Sequence, residues 1–380
     1  MEYLESVRQI EQQILSRFAK KSTESAGRKI PLTDDPKRTE FERDVHRIQH
    51  SWPFRRLRNK AQVFYAPKND HLCTRIEHAL HVASISKTIC RHLALNCDLA
   101  EAIALAHDLG HPPFGHIGEE IIKRLHKSNH LPVFKHEAQS LRVIDRFKNN
   151  GNTLDLTFEV RDGVVCHCGE KFIQKLRPNR RKDITLVEPS AARRQNPATL
   201  EACVVRVADV ISYIGRDYED AIQVGIIPSS KLPPHIRNVL GSTNREIIHI
   251  IIGDILNSSK EIDAIVLSDP IYNATCALKN FNTRYIYKSP MITSQIRRIE
   301  QMLWDIFYFF LEVSEETNRG TKRKRKYRSE AVDVFYEFLE EMEYTPTESD
   351  AQIVSDFLAG MTDTYATRVY QELFLVSPPA

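Results

Sequence analysis

Four residues of this chain carry chemistry that packing alone does not ask for: His78, the adjacent His107 and Asp108, and Asp209. The His-Asp pair directly follows an apolar run, Ala102-Ile103-Ala104-Leu105-Ala106, whose composition predicts burial. An imidazole and a carboxylate at the end of a buried helix cost on the order of several kcal/mol unless something pairs with them. A divalent cation is the natural partner. Imidazole nitrogen and carboxylate oxygen suit Mg2+ or Mn2+, and also Fe, Co, Ni or Zn. A set of two histidines and two aspartates leaves coordination positions open for water and substrate. The dipeptide by itself is a weak signal, because such pairs arise by chance and a core histidine can be satisfied by its neighbours.

The residues after it sharpen the reading. From His107 the chain runs Asp108, Leu109, Gly110, His111, Pro112, Pro113, Phe114, Gly115, His116. Three histidines, two glycines and two prolines in ten residues describe a rigid turn that presents imidazoles, not a packed core. The prolines fix the backbone, and Gly110 and Gly115 permit tight or left-handed geometry. Preorganised side chains beside a metal are what hydrolysis of a phosphate ester requires.

The elements that must position these groups are helical. Glycine is sparse, at 13 of 380 residues, and apolar residues recur at spacings of three and four. The spacing predicts a regular helix starting near Arg38 and another over 76–93, with Ile76, Leu80, Ala83 and Ile89 available for one face. A third opens at Asp98, with Glu101 as its capping-box partner, and stops near Gly110. Residues 153–170 read equally as a short hairpin around Asp162-Gly163 or as a helix ending at Gly163. Residues 177–197 read as an exposed basic loop, and helix resumes from Thr199 to Ala221. The expected fold is all-α, with at most a small β-hairpin. It divides into a polar N-terminal arm (1–37, a loop or disordered over 21–37), a catalytic core (38–225) and a C-terminal helical region (226–380) packed on that core.

Composition adds bounds. The chain is 42% hydrophobic and 27% charged, ordinary for a globular protein with a sizeable core. A net charge of +3 argues neither for nor against nucleic acid. The longest apolar runs, such as Ile248–Ile252 and Ile306–Leu311, fall far short of the roughly 20 residues of a membrane span. The N-terminus lacks the pattern of a signal peptide, so the expected location is the cytoplasm. Seven scattered cysteines make a disulfide framework a poor expectation.

With these motifs in order, the chain resembles the deoxynucleoside triphosphate triphosphohydrolases, the dGTPase-like branch of the HD superfamily. The resemblance rests on Arg75-Ile-Glu-His78, on His107 through His116, and on Ala208-Asp209-Val-Ile-Ser-Tyr213. Phe54-Arg-Arg-Leu57, Gln62-Val63, His136 with Gln139-Ser-Leu-Arg142, and Ala359 through Ala366 extend it. It covers 38–225 densely and the C-terminal helices thinly.

The resemblance implies an HD-domain helical core with additional C-terminal helices, in a homo-oligomer. It implies hydrolysis of deoxynucleoside triphosphates to deoxynucleoside and triphosphate. His78, His107, Asp108 and Asp209 would hold the metal. His116 with Glu119 would be the acid–base pair, and His136 would act near the phosphates. Arg75 would meet phosphate oxygens, Gln62 the sugar, and Tyr213 and Asp217 the sugar and phosphate side, with His111 also facing substrate. Ala61 (where threonine is frequent), Glu137 (where asparagine is) and the loop at 177–197 depart from the pattern and bear on substrate preference. The alternatives are an HD nuclease or phosphodiesterase acting on single-stranded nucleic acid or another nucleotide, and a non-catalytic nucleotide sensor.

Three weaker features remain. Cys166-His167-Cys168 lacks the second pair a zinc knuckle needs and reads as a local turn with free thiols. Two basic clusters, Lys322–Lys326 and Arg177, Arg180, Arg181, Lys182, Arg193 and Arg194, read as solvated loops. Their functional alternative is a phosphate-rich partner, either single-stranded nucleic acid or a nucleotide effector between subunits. Trp52, Trp304 and Phe307-Tyr308-Phe309-Phe310 read as core or subunit interface.

Overall fold

Capping chemistry starts many of the helices. Thr39 and Glu42 form a capping box before Glu40–Gln49, Thr243 and Glu246 form another before Asn244–Ser258, and Thr199 caps Leu200–Gln223 through Ala202 N. The computed structural model describes residues 2–30, 37–65, 72–148, 151–168, 172–183, 186–318, 329–345 and 347–375. Among them are sixteen α-helices and a single pair of two-residue strands, Lys175–Leu176 antiparallel to Ile265–Val266. The chain is all-α, and the strands join distant segments instead of forming the hairpin that the sequence allowed for.

The Cys97–Ala106 helix is the centre of the core. Leu99, Ala100 and Ala102 through Ala106 are fully buried, so this helix is covered nearly all round, with only Cys97, Asp98 and Glu101 in its first turns partly exposed. It packs against Arg75–His92, Glu40–Gln49, Phe158–Val165 and Leu200–Gln223. Its cap is Asn96, whose Oδ1 accepts from Asp98 N and Leu99 N at 3.1 Å. Asp98 therefore lies inside the first turn and is not the cap, and Glu101 pairs with Lys87 at 2.5 Å. Leu80, read as available for one face with Ile76, Ala83 and Ile89, is 50% exposed, so it stands off the face of Arg75–His92 that packs on the core.

Residues 158–165 form a continuous helix through Gly163. A Cβ there would meet Ile103 Cδ1 at 2.6 Å, so the glycine serves helix–helix approach, not a turn. Part of the N-terminal arm packs on the core. Arg28 pairs with Asp44 at 2.6 Å, and Gly27 O accepts from Phe158 N at 2.9 Å. Residues 31–36 lie outside the described residues, as does the basic segment 319–328.

The Pro290–Asn318 helix organises the C-terminal layer. Phe310, Phe335 and Phe357 pack with ring centroids 4.8 to 5.0 Å apart. Phe307 and Phe310 are core, whereas Trp52 is 52% exposed. This layer reaches back to the turn after Asp108. Asp363 accepts from Ala61 N at 2.9 Å and Phe114 N at 2.8 Å, and Lys60 Nζ donates to His111 O and Ala359 O. The turn needs that support. Phe114 and Gly115 both have left-handed φ, +62° and +58°, and Gly110 lies so close to Ser140 that a Cβ would sit 2.1 Å from its backbone nitrogen.

Candidate metal centre and substrate cleft

His78 stands in the first turn of Arg75–His92, His107 and Asp108 at the end of Cys97–Ala106, and Asp209 midway along Leu200–Gln223. The packing of these three helices brings their donor atoms together. His78 Nε2 is 3.0 Å from Asp209 Oδ1 and 3.3 Å from His107 Nε2. His107 Nε2 is 3.6 Å from Asp108 Oδ2 and 4.0 Å from Asp209 Oδ1.

Hydrogen-bond accounting fixes which ring nitrogens carry protons. His107 Nδ1 lies 2.6 Å from Ala104 O, which can only accept. Ser212 donates its hydroxyl to Asp209 O at 2.7 Å, so the 3.1 Å contact between its Oγ and His78 Nδ1 is a bond that the imidazole donates. Both Nε2 atoms then present lone pairs toward each other and toward two carboxylates. With both rings neutral, such a set of buried acceptors fits a divalent cation. The electrostatics agree. Burial lowers the His107 pKa and favours the neutral ring. Burial pushes Asp209 up, but a proton shared from His78 Nε2 and the neighbouring imidazoles bring it to about 2, and a bound cation would take the place of that proton. Asp108 is held well below the usual carboxylate range: burial raises it, and His107 when protonated, together with the permanent charge of Arg75, outweighs that.

A cleft opens beside these donors, lined among others by Gln62, Arg75, His111, His116, His136 and Tyr213. Arg75 Nη1 binds Asp108 Oδ2 at 2.5 Å and its Nη2 donates to Gln62 O at 3.2 Å. Buried atoms on this wall lack a hydrogen-bond partner: Gln62 Oε1, Arg75 Nε and His111 Nε2. Burial, reinforced by Arg75 and His136, keeps His111 neutral. Asp217 lies outside the lining, where Tyr287 donates to its Oδ2 at 2.6 Å. Burial raises Asp217 to about 7.

His116 and Glu119 are less tightly paired than a one-turn spacing suggests. His116 is largely exposed, and its Nδ1 lies 3.9 Å from Glu119 Oε2, beyond hydrogen-bond reach. Glu119 Oε2 instead accepts from His136 Nδ1 at 3.0 Å. Burial opposes the charged form of His136, but the Glu137 and Glu119 carboxylates overcome it and raise its pKa well above the ordinary value.

The structure brings several residues to the site that the sequence reading left elsewhere. Arg193, from the supposedly exposed loop, donates to Glu137 Oε1 at 2.6 Å and Glu119 Oε1 at 2.9 Å. Two departures from the family pattern thus meet in one ion-pair network. Arg180 pairs with Asp263 and Lys182 with Asp162, so three of the six cations in this cluster hold carboxylates of the chain. His167 and Cys168 also reach the site: the His167 ring stacks edge-on against His107, centroids 4.9 Å apart, and both residues line the cleft with Arg206 and Lys279. The histidine between two cysteines was the available signal, but its partners are distant in sequence.

Comparison with known proteins agrees with this geometry. The HD domain family matches residues 75–214, and the phosphohydrolase-associated domain matches 265–372. A deoxyguanosinetriphosphate triphosphohydrolase-like protein of Desulfatibacillum aliphaticivorans is 37% identical over 98% of this chain and 98% of its own. Likewise named proteins of Caldanaerobacter subterraneus subsp. tengcongensis (35% identical, 100% and 97% covered) and Clostridium tetani (34%, 93% and 91%) align over similar spans. No helix among the described residues is long and apolar enough to cross a membrane. The converging imidazoles and carboxylates, the two domain matches and this near-full-length similarity establish that the chain belongs to the deoxyguanosinetriphosphate triphosphohydrolase-like family of HD-domain phosphohydrolases.

Proposed function

We propose that this chain is a metal-dependent triphosphohydrolase of deoxynucleoside triphosphates, releasing deoxynucleoside and intact triphosphate. The observation that carries the proposal is the juxtaposition of two unsatisfied sets. Bare His78 and His107 nitrogens converge on Asp209, and the adjoining cleft wall holds Gln62 Oε1, Arg75 Nε and His111 Nε2 without partners. The first set suits a cation and the second suits a polar, phosphate-bearing ligand.

In this reading His78, His107, Asp108 and Asp209 hold Mg2+ or Mn2+, which when bound neutralises charge on the α-phosphate. Arg75, fixed by Asp108 and Gln62, directs its guanidinium at phosphate oxygens. His136, kept protonated by Glu119 and Glu137, donates to an oxygen that gains charge in the transition state. His116 stands at the mouth, where substrate must draw it toward Glu119 before the two act as an acid–base pair. Gln62 and Tyr213 face the sugar, and Asp217 supports that side through Tyr287. The relatives' names support a deoxyguanosine nucleotide as one substrate. A homo-oligomer, a nucleotide effector and a cytoplasmic location complete the proposal.

The test is product analysis with each of the four dNTPs, singly and mixed, in Mg2+ and in Mn2+. Deoxynucleoside plus triphosphate, lost in Asp108→Ala, is the expected result; turnover only in the mixture reveals the effector. Cleavage of single-stranded DNA without dNTP turnover would overturn the reading. The nuclease alternative gains no support from the cluster at 177–194, because Arg180, Lys182 and Arg193 are engaged within the chain.

A further inference from the structure

Gln62, Arg75 and His111, whose partnerless atoms face the cleft, come from separate segments of the chain. Lys60, which does not line the cleft, is joined to all of them. Its carbonyl accepts from Arg75 N at 3.0 Å, and its Nζ donates to His111 O at 2.5 Å. Gln62 follows it by two residues, and a β-bridge between Ala61 and Thr74 ties that stretch to the start of the Arg75–His92 helix.

We propose that Lys60 is a positioning residue for substrate: its side chain sets the turn that carries His111 against the stretch that carries Gln62, so that Gln62, Arg75 and His111 meet one ligand together.

Two further observations support this. A lysine is an expensive way to fill this space. The side chain is buried, 2% exposed, and its ammonium bonds two carbonyls. Burial, with the nearby Arg56 and Arg75 charges, brings its pKa down to about 7 against the pull of Asp363 and Asp108. A buried ammonium is costly, and an apolar side chain of the same length would pack there without that cost. The bonds it makes also cross the seam between the core and the C-terminal layer. Nζ donates to Ala359 O at 2.9 Å as well as to His111 O, and Asp363 ties the same two core segments through Ala61 N and Phe114 N.

Among the described residues, Lys60 Nζ makes no hydrogen bond to His78, His107, Asp108 or Asp209. Loss of the ammonium therefore acts on the polar wall and spares the metal centre. The ligand then has to order groups that were aligned beforehand, and its binding weakens. This consequence for substrate rests on the dNTP reading; the hold on the turn does not.

Lys60→Met removes the charge and nearly keeps the shape. Hydrogen–deuterium exchange should quicken at least about tenfold over 107–116 and stay unchanged over 97–106 and 200–223. Mn2+ affinity by calorimetry should stay within about twofold, because the outer partners of the metal ligands are untouched. With dNTPs, KM should rise at least about tenfold and kcat stay within about threefold. In Lys60→Ala, added propylammonium, the missing part of the side chain, should lower KM at least about threefold, whereas 1-propanol should not and the wild type should not respond. Unchanged exchange over 107–116 would overturn the proposal whatever the enzyme turns over. Faster exchange with an unchanged KM would overturn it too, by reducing the lysine to a structural role. Faster exchange in a chain whose wild type turns over no dNTP would instead overturn the function proposed above. If Lys60→Met does not fold, fast exchange over 97–106 reveals it, and Lys60→Gln, which keeps a donor, takes the same measurements.

Discussion

Ser212 tests whether the imidazole tautomers create the metal centre. Its Oγ accepts from His78 Nδ1 at 3.1 Å and donates to Asp209 O at 2.7 Å. In Ser212→Ala the Nδ1–H of a buried ring loses its acceptor. Without metal the ring can then move its proton to Nε2 and donate to Asp209 Oδ1, 3.0 Å away. With metal it cannot, because Nε2 is the ligating atom, and the orphaned Nδ1–H costs about 1–3 kcal/mol. The substitution therefore stabilises the metal-free state relative to the bound state. Loss of such an outer partner weakens metal binding by about 10- to 100-fold, equivalent to about 1.4–2.8 kcal/mol. Calorimetric titration of Mn2+ into wild type and Ser212→Ala measures this directly, with unfolding curves to confirm an intact fold. Affinities within about twofold would refute the tautomer argument, because the outer hydrogen bond would then have no hold on the ligand.

Two further outcomes follow from the support of the site. Asp363→Ala leaves Ala61 N–H and Phe114 N–H buried without their acceptor, which at about 1–3 kcal/mol each destabilises the protein by about 2–6 kcal/mol in denaturant unfolding; a loss below about 1 kcal/mol would show that the turn does not depend on the C-terminal layer. Burial pushes Glu137 up, but His136, His167 and Arg193 hold it at about 2, below its ordinary 4.5. A carboxyl depressed in this way stabilises the fold above its unfolded value and loses that contribution as pH falls through the folded one. Arg193→Met should therefore move acid unfolding between about pH 4.5 and 2 to higher pH, and an unchanged acid midpoint would remove Arg193 from the network.

Local chemistry made much of the helical architecture legible. Sparse glycine and three–four spacing are rules a segment obeys without knowing its neighbours. The apolar run before His107 predicted its own burial for the same reason, and the pair at its end pointed to a cation because an imidazole and a carboxylate beside a buried run need a partner whatever the fold. Errors arose where two local solutions compete. Asn96 and Asp98 can each cap a helix, and which one does depends on where the preceding chain enters. Gly163 can end a helix or let another approach, and only Ile103, sixty residues earlier, decides that.

Tertiary structure decided everything that needs two distant segments at one point. The turn at 107–116 is stiff by its prolines, yet its left-handed Phe114 and Gly115 are held by Asp363, about 250 residues away. Arg193 and His167 join the site because the Leu200–Gln223 and Phe158–Val165 helices pack on the same central helix and carry their flanking loops with them. A donor set within 4 Å is set by helix packing, and sequence spacing reports packing only along one element. Residue types therefore pointed toward a cation and a phosphate ester, while the close packing of buried helices determined which nitrogens face one another and which carboxylates they meet.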